Sequence, residues 1–309
     1  MTARPRDFAG YGPHPPAFSW PGGKKVAINF AINYEEGTER SLLLSDATRD
    51  SRTWVRSVLP DSERDLMQEG EYEYGTRVGV WRLLRIFAQH NAPFSIFLSS
   101  EALLASPALA AHLRAGHADC DVVSRGTRSI SRLGLTEAME RADLRASVDQ
   151  TLALTGQRIT ENTRRVMTEE GLAYGSATTN DDRPYYADVA ERPMLVLPYA
   201  VDTNDARFWR GQSGPGYTGS TDFFDYLRDA FDVLYVESDE SATLMLVGLH
   251  ARIMRPGRVA SIVRFLAYVG QKEGVWIAKH NDIAAHFASL FAPSNAWNRE
   301  VLHSVSESV

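Results

Sequence analysis

Cysteine is nearly missing from this sequence: Cys120 is the only one in 309 residues. No internal disulfide can form, and a single thiol fits a reducing compartment. Long apolar runs are missing as well. No uncharged stretch approaches the ~18 residues that cross a bilayer. The opening MTARPRDFAGYG lacks the apolar centre of a signal peptide. The expectation is a cytoplasmic protein with no membrane partner. Basic clusters are absent too, with 33 Lys and Arg scattered against 39 Asp and Glu for a net charge of -6. That balance gives nucleic acid and acidic membranes nothing to hold. Neither GxGxxG nor a Walker loop occurs, so no nucleotide cofactor is expected on those grounds.

What is there reads as an ordinary globular chain, 44% hydrophobic and 23% charged. Its length suits one barrel domain. Pro and Gly crowd residues 1–24 (YGPHPP, WPGG), which predicts an extended surface arm. Short apolar runs bounded by turn residues predict strands at Lys25 to Asn33, Ala92 to Leu98, Asp121 to Ser124, Met194 to Tyr199, Leu244 to Leu249 and Gly274 to Ile277. Helical spacing predicts helices at Arg77 to His90, Ser106 to Gly116, Thr136 to Thr155, Asp222 to Phe231, Arg258 to Gly270 and Ile283 to Phe291. This alternation predicts a mainly parallel sheet covered by helices, over residues 25–292, with a tail at 293–309.

Four segments carry groups able to do chemistry. Asn33-Tyr34-Glu35-Glu36-Gly37 ends the first strand, and paired acids at the carboxyl end of a barrel strand suit an active site, although pattern alone favours an acidic surface loop. His250 ends the apolar strand LMLVGLH, as a catalyst or as a packed core histidine. Asp202-Thr203-Asn204-Asp205 follows a strand and reads as oriented acids or an Asx-rich turn. Glu71-Tyr72-Glu73-Tyr74-Gly75-Thr76-Arg77 reads as a loop capping the next helix.

Together these segments resemble the allantoinase-like branch of the polysaccharide deacetylases, which opens cyclic ureides and imides. The likeness is carried by YGPHPPAFSWPGGKKVAINFAINYEEG, EYEYGTRVGVWRLLRIF, NTRRVMTEEG, LVLPYAVDTNDARF, FFDYLRDAFDVLY and GLHARIMRPGR. The resemblance implies a distorted seven-stranded (β/α) barrel and a homo-oligomer. It puts Glu35 at the general base, Glu36 at a carboxylate metal ligand of metal-dependent relatives, and His250 at the general acid. Tyr74, Arg77, Asp202, Asn204 and Asp205 fall on segments that line the substrate pocket.

Three departures alter that expectation. Where relatives carry S-H-G-Y-R-W with a metal-binding histidine, this chain has Ser124-Arg125-Gly126-Thr127-Arg128-Ser129. Arginine stays protonated and offers a metal no lone pair. The pocket loop that relatives carry between T-G-x-R-P and P-N-T-R is missing at the junction of Thr155 to Arg164. Tyr174-Gly175-Ser176 lacks the acid that follows the tyrosine in relatives. The expectation is therefore a metal-free hydrolase of a small cyclic amide, imide or ureide, without cofactor. In it Glu35 is the base, His250 the acid, and Arg125 supplies positive charge in place of the metal. A silent homologue retained for binding or assembly, or a lyase or decarboxylase on the same barrel, stays open beside it.

The exchange of histidine for Arg125 predicts purified protein without stoichiometric zinc. One tightly held transition metal per chain, measured by elemental analysis, would overturn that expectation.

Overall fold

The computed structural model describes Phe8 and residues 10–148, 153–155, 160–209 and 219–291. The expected tail at 293–309, and the joint at 156–159, lie outside them. Among the described residues nine strands form one sheet: β1 (Val26–Tyr34), β2 (Phe94–Leu98), β3 (Cys120–Ser124), β4 (Ala153–Thr155), β5 (Tyr174–Ser176), β6 (Tyr185–Val189), β7 (Arg192–Val196), β8 (Thr243–His250) and β9 (Val275–Ile277). Their order is β6-β7-β5-β4-β3-β2-β1-β8, with β9 paired to β1. Only the β6–β7 hairpin is antiparallel, which leaves seven parallel strands along that path. The helices are α1 (Leu66–Tyr74), α2 (Val80–Gln89), α3 (Ser100–Ala105), α4 (Pro107–Arg114), α5 (Glu137–Val148), α6 (Glu161–Glu169), α7 (Asp205–Trp209), α8 (Ser220–Glu237), α9 (Pro256–Val269) and α10 (His280–Leu290).

All nine residues of β1 are buried, as a parallel strand covered on both faces requires. Side chains alternate across a strand, and the two files of β1 enter different cores. Val26, Ile28, Phe30, Ile32 and Tyr34 pack outward with α2, α8 and α9 residues such as Phe87, Phe231 and Phe265. Ala27 and Ala31 face inward with Phe97, Val123, Leu244 and Leu246. Beyond these inner files, at the carboxyl ends of the strands, come Glu35 after β1, Arg125 after β3 and His250 closing β8. Period-two alternation thus aims three predicted site residues at one place.

The ring does not close by a full ladder. Among the described residues β8 meets the far side of the sheet through isolated bonds, Leu244 N–H to the Asp182 carbonyl (2.8 Å) and Gly248 N–H to the Thr203 carbonyl (3.2 Å). This is the distortion that the resemblance implied. No helix among the described residues is long and apolar enough to cross a membrane.

Several element boundaries differ from expectation. The helix expected at Thr136 to Thr155 is described over Glu137–Val148, and Ala153–Thr155 is β4. Pairing with Ser124 on one side and Tyr174 to Ser176 on the other outweighs the local helical spacing. The helix expected at Ser106 to Gly116 is α4, and a short helix that was not expected, α3, precedes it; the two are broken at Ser106, because a residue before proline avoids the α region. The loop expected at Glu71 to Arg77 is helical: α1 runs into a π turn at Gly75–Gly79 and on into α2. The surface arm expected at 1–24 is not wholly on the surface. Trp20 is 1% exposed and gives its indole N–H to the Thr243 carbonyl at 2.8 Å.

The π turn is where the helix touches the site's backbone. A Cβ on Gly79 would stand 1.9 Å from the Ala251 carbonyl oxygen, between His250 and Arg252. By helix propensity alone Gly79→Ala would stabilise by about 1 kcal/mol. The contact reverses the sign, and the variant should instead lose about 1–3 kcal/mol as an overpacked core does. Chemical denaturation of the two proteins checks it.

Candidate active site

Glu35 is 2% exposed and its carboxylate sits between two guanidinium groups. Arg125 Nη2 reaches Oε1 at 2.8 Å, and Arg252 Nη2 reaches Oε2 at 2.6 Å. Glu35 is thus paired with Arg125, and Arg252 makes the pair a clamp. Arg125 Nη1 also donates to Asn33 Oδ1 at 2.6 Å, two residues before Glu35 on the same file of β1. Asn33 Nδ2 donates to the Tyr199 hydroxyl (2.9 Å), which also takes Asn204 Nδ2 (2.6 Å). Gly248 makes room for this layer, since a Cβ there would lie 2.5 Å from Asn204 Nδ2.

His250, 5% exposed, stands across from the clamp. Its Nδ1 lies 2.6 Å from Asp205 Oδ1, and its backbone N–H donates to Asp205 Oδ2 at 2.7 Å. Both oxygens of a fully buried carboxylate therefore fix the ring. A neutral imidazole that donates through Nδ1 carries its lone pair on Nε2. That Nε2 faces Glu35 Oε1 at 3.9 Å. The arrangement is an oriented acid–base group beside a clamped carboxylate.

Burial alone would push the Glu35 carboxyl up, but Arg252, Arg125, Arg52 and His250 outweigh it and hold it well below the usual range. Glu36 behaves oppositely. Burial, with the Glu35 and Glu39 carboxylates beside it, pushes its carboxyl up to about 7 against the pull of Arg252. Burial draws the Arg125 guanidinium below its ordinary value. The Tyr199 phenol is pushed up to about 12, chiefly by burial, so it stays a neutral hydroxyl.

The predicted residues divide. Glu35, Arg125, His250 and Asp205 meet directly, and Asn204 supports them through Tyr199. Glu36 adjoins them but turns its oxygens to backbone, accepting the Glu35 N–H at 2.9 Å and the Arg252 N–H at 3.1 Å. It also lines a separate cleft of about 370 Å³ with Glu39, Glu69, Glu73 and Arg77. Arg77 is exposed in that cleft. Tyr74 lies under Arg255, 3.4 Å from its ring centre, and bonds Arg82. Asp202 is exposed and accepts from the Tyr226 hydroxyl at 3.2 Å. Tyr74, Arg77 and Asp202 are expected to line the substrate pocket, and the structure gives them these partners.

Three other residues complete the site. Arg252 stacks on the ring of Tyr72 at 4.6 Å. Arg52 is held by Asp50 and donates to the Ser129 carbonyl at 3.3 Å. Arg252 stands two positions after His250, which was a readable sign of a shared face. Arg52 gave no such sign, since it arrives on a long loop that Arg49 stitches to Leu59, Pro60 and Gln68.

These groups do not fit a catalytic metal. Arg125 stands where the resemblance leads one to expect a ligand, and among the described residues no group of three or more His, Cys, Asp or Glu could hold a metal ion. A parallel sheet with paired carboxylates and an oriented histidine at its carboxyl ends is the arrangement that the resemblance to the polysaccharide deacetylases implied. No family model matches the chain. It is 33% identical over 295 residues to a Schizosaccharomyces pombe protein described as "Putative polysaccharide deacetylase", covering 86% of this chain and 91% of that protein. The crystal structure of Puue allantoinase superimposes with a TM-score of 0.87 at 38% identity, covering 94% of this chain and 99% of that one. A probable polysaccharide deacetylase from Pseudomonas aeruginosa PAO1 gives 0.85 at 38% identity, over 94% and 100%. The chain belongs to the polysaccharide deacetylase family of hydrolases.

Because its folded-state carboxyl is raised from 4.5 to about 7, Glu36 costs the native state nothing while protonated in both states. The penalty grows as pH rises above 4.5 and is complete above about 7. Glu36→Gln removes the titration, so its melting temperature relative to wild type should climb between those limits. A difference that stays flat with pH would remove Glu36 as the titrating group.

Proposed function

We propose that this protein is a metal-independent hydrolase that opens a C–N bond in a small cyclic amide, imide or ureide. The observation that carries the reading is His250, fixed through Nδ1 by Asp205 with Nε2 turned toward the Glu35 clamp. The similarity to an allantoinase supports a cyclic ureide as one substrate class.

In this reading His250 Nε2 takes a proton from water as the water oxygen bonds to the ring carbonyl carbon. The oxyanion that forms faces the guanidinium of Arg125, which supplies fixed positive charge without reorganisation. His250 then returns the proton to the ring nitrogen, the C–N bond breaks, and a free N–H is left with a carboxylic acid, which releases its remaining proton to solvent as the carboxylate. Glu35, expected as the base, is made a poor one by the two ion pairs. A base works best with a pKa near the operating pH, and Glu35 is held far below it. Its role becomes electrostatic, setting Arg125 and Arg252 in place and favouring the imidazolium. No step draws on a metal or cofactor.

A second reading is supported by the same clamp. Arg125 and Arg252 consume both oxygens of Glu35, as they would in a silent site kept for binding or assembly.

A panel of allantoin, hydantoin, succinimide and glutarimide, assayed for carboxylate release with and without a chelator, separates the two. The hydrolase reading expects turnover that the chelator leaves intact, and Asp205→Asn should lower kcat about 100-fold or more by freeing the ring and changing its tautomer. Its fold should persist, since the substitution conserves volume. The silent reading expects no turnover on any member and no kinetic effect to measure.

A further inference from the structure

Arginine donors around Glu35 outnumber the acceptors offered to them. Arg252 uses Nη2 on Glu35, while its Nε and Nη1 are buried without a partner. Arg125 uses Nη1 and Nη2, while its Nε is buried without a partner. The hydroxyl of Tyr72, beneath the Arg252 guanidinium, is likewise buried and unpartnered. Buried polar groups are normally satisfied, and a cluster of exceptions needs an explanation. Guanidinium groups donate only and do not lose their proton, so only an acceptor can complete them.

The charges point the same way. Arg125 and Arg252 share the single carboxylate of Glu35, leaving one positive charge that this residue does not balance. The other ionisable groups nearby are engaged elsewhere. Asp50 holds Arg52, Asp205 holds His250, and Glu36 accepts two backbone N–H groups. The sequence strengthens this sign, because Arg125 stands where the resemblance leads one to expect a neutral histidine. The side chains of Arg52, Arg125 and His250 keep 25%, 8% and 6% exposure, whereas Arg252 keeps 1%, so the first three form the edge that meets solvent.

We propose that Arg125, Arg252 and Tyr72 form a carboxylate-binding subsite, and that the ligand of this barrel is a small ring bearing an acidic substituent. A carboxylate is planar with two acceptor oxygens and suits guanidinium donors. This deepens the hydrolase reading and rests on it for the ring and its place near His250. The anion preference rests on the donors alone.

The test compares hydantoin-5-acetic acid with its neutral amide, hydantoin-5-acetamide, which keeps ring and size but not charge. Calorimetry on the full chain should give at least tenfold tighter binding for the acid, in the range expected of a charge-assisted pair. In Arg125→Gln that preference should fall to within about twofold. Should Arg125→Gln not fold, wild-type protein is titrated with malonate against malonamide at matched ionic strength. Only malonate should then raise the melting temperature. Equal affinities for acid and amide, no binding of the acid, or a preference that survives Arg125→Gln would each overturn the subsite.

Turnover is read separately by ring opening. Acid preference without turnover means that the subsite stands and the hydrolase reading fails. Turnover of neutral rings without preference means the reverse.

Discussion

The buried carboxylate of Glu35, gripped by Arg125 and Arg252, is the contact on which the rest of the site depends. It draws together the carboxyl ends of β1, β3 and β8, because each partner comes from a different strand end. Ions taken out of water cost several kcal/mol each, and their attraction repays this only with good geometry and further hydrogen bonds. Here that support comes from Asn33 on Arg125 and from the ring of Tyr72 under Arg252. A clamp of this kind is weak evidence for stability but strong evidence for position. Removing one partner would leave a buried charge exposed to none of the others.

The clamp also sets the chemistry. Two guanidiniums that stabilise the ionised form of Glu35 take away its value as a base, and the proton traffic shifts to His250. Asp205 then matters as much as His250, since it selects the tautomer and the direction of Nε2. Positive charge supplied by fixed side chains can replace one role of a metal, the stabilisation of a developing oxyanion, though it does not activate water. The neighbouring pair Glu35 and Glu36 illustrates how environment divides identical groups. One is held ionised by arginines, and the other is kept near neutral pH by burial while its oxygens bind backbone.

Glycine governs how closely the layers approach. Gly75 lies against Glu36, Gly79 against the Ala251 carbonyl, and Gly248 against Asn204 and Tyr199. The π turn of Gly75–Gly79 lets a helix press onto the loop after β8, and this contact holds Arg252 over Tyr72.

Much of the barrel was legible in the sequence, because apolar runs and period-two alternation are local properties. They gave β1 and β8 nearly to the residue, and with them the inward file that ends at Glu35 and His250. Arg125 was legible for a different reason, as the one charged substitution in a segment that keeps the family's Ser124, Gly126 and Arg128. The contacts that make a site of these residues were not legible. They join positions 45 apart for His250 and Asp205, 90 apart for Glu35 and Arg125, and 217 apart for Glu35 and Arg252. The choice of Asp205 over Asp202, and of Tyr72 over Tyr74, turned on which residue of a short segment faced inward. That depended on the start of α7 and on the path through α1 and the π turn, neither of which has a local signature. Local sequence determined the strands and the sign of the charge at Arg125. Only the tertiary structure decided that Arg252 meets the same carboxylate as Arg125, because meeting is a property of the assembled sheet and not of any segment in it.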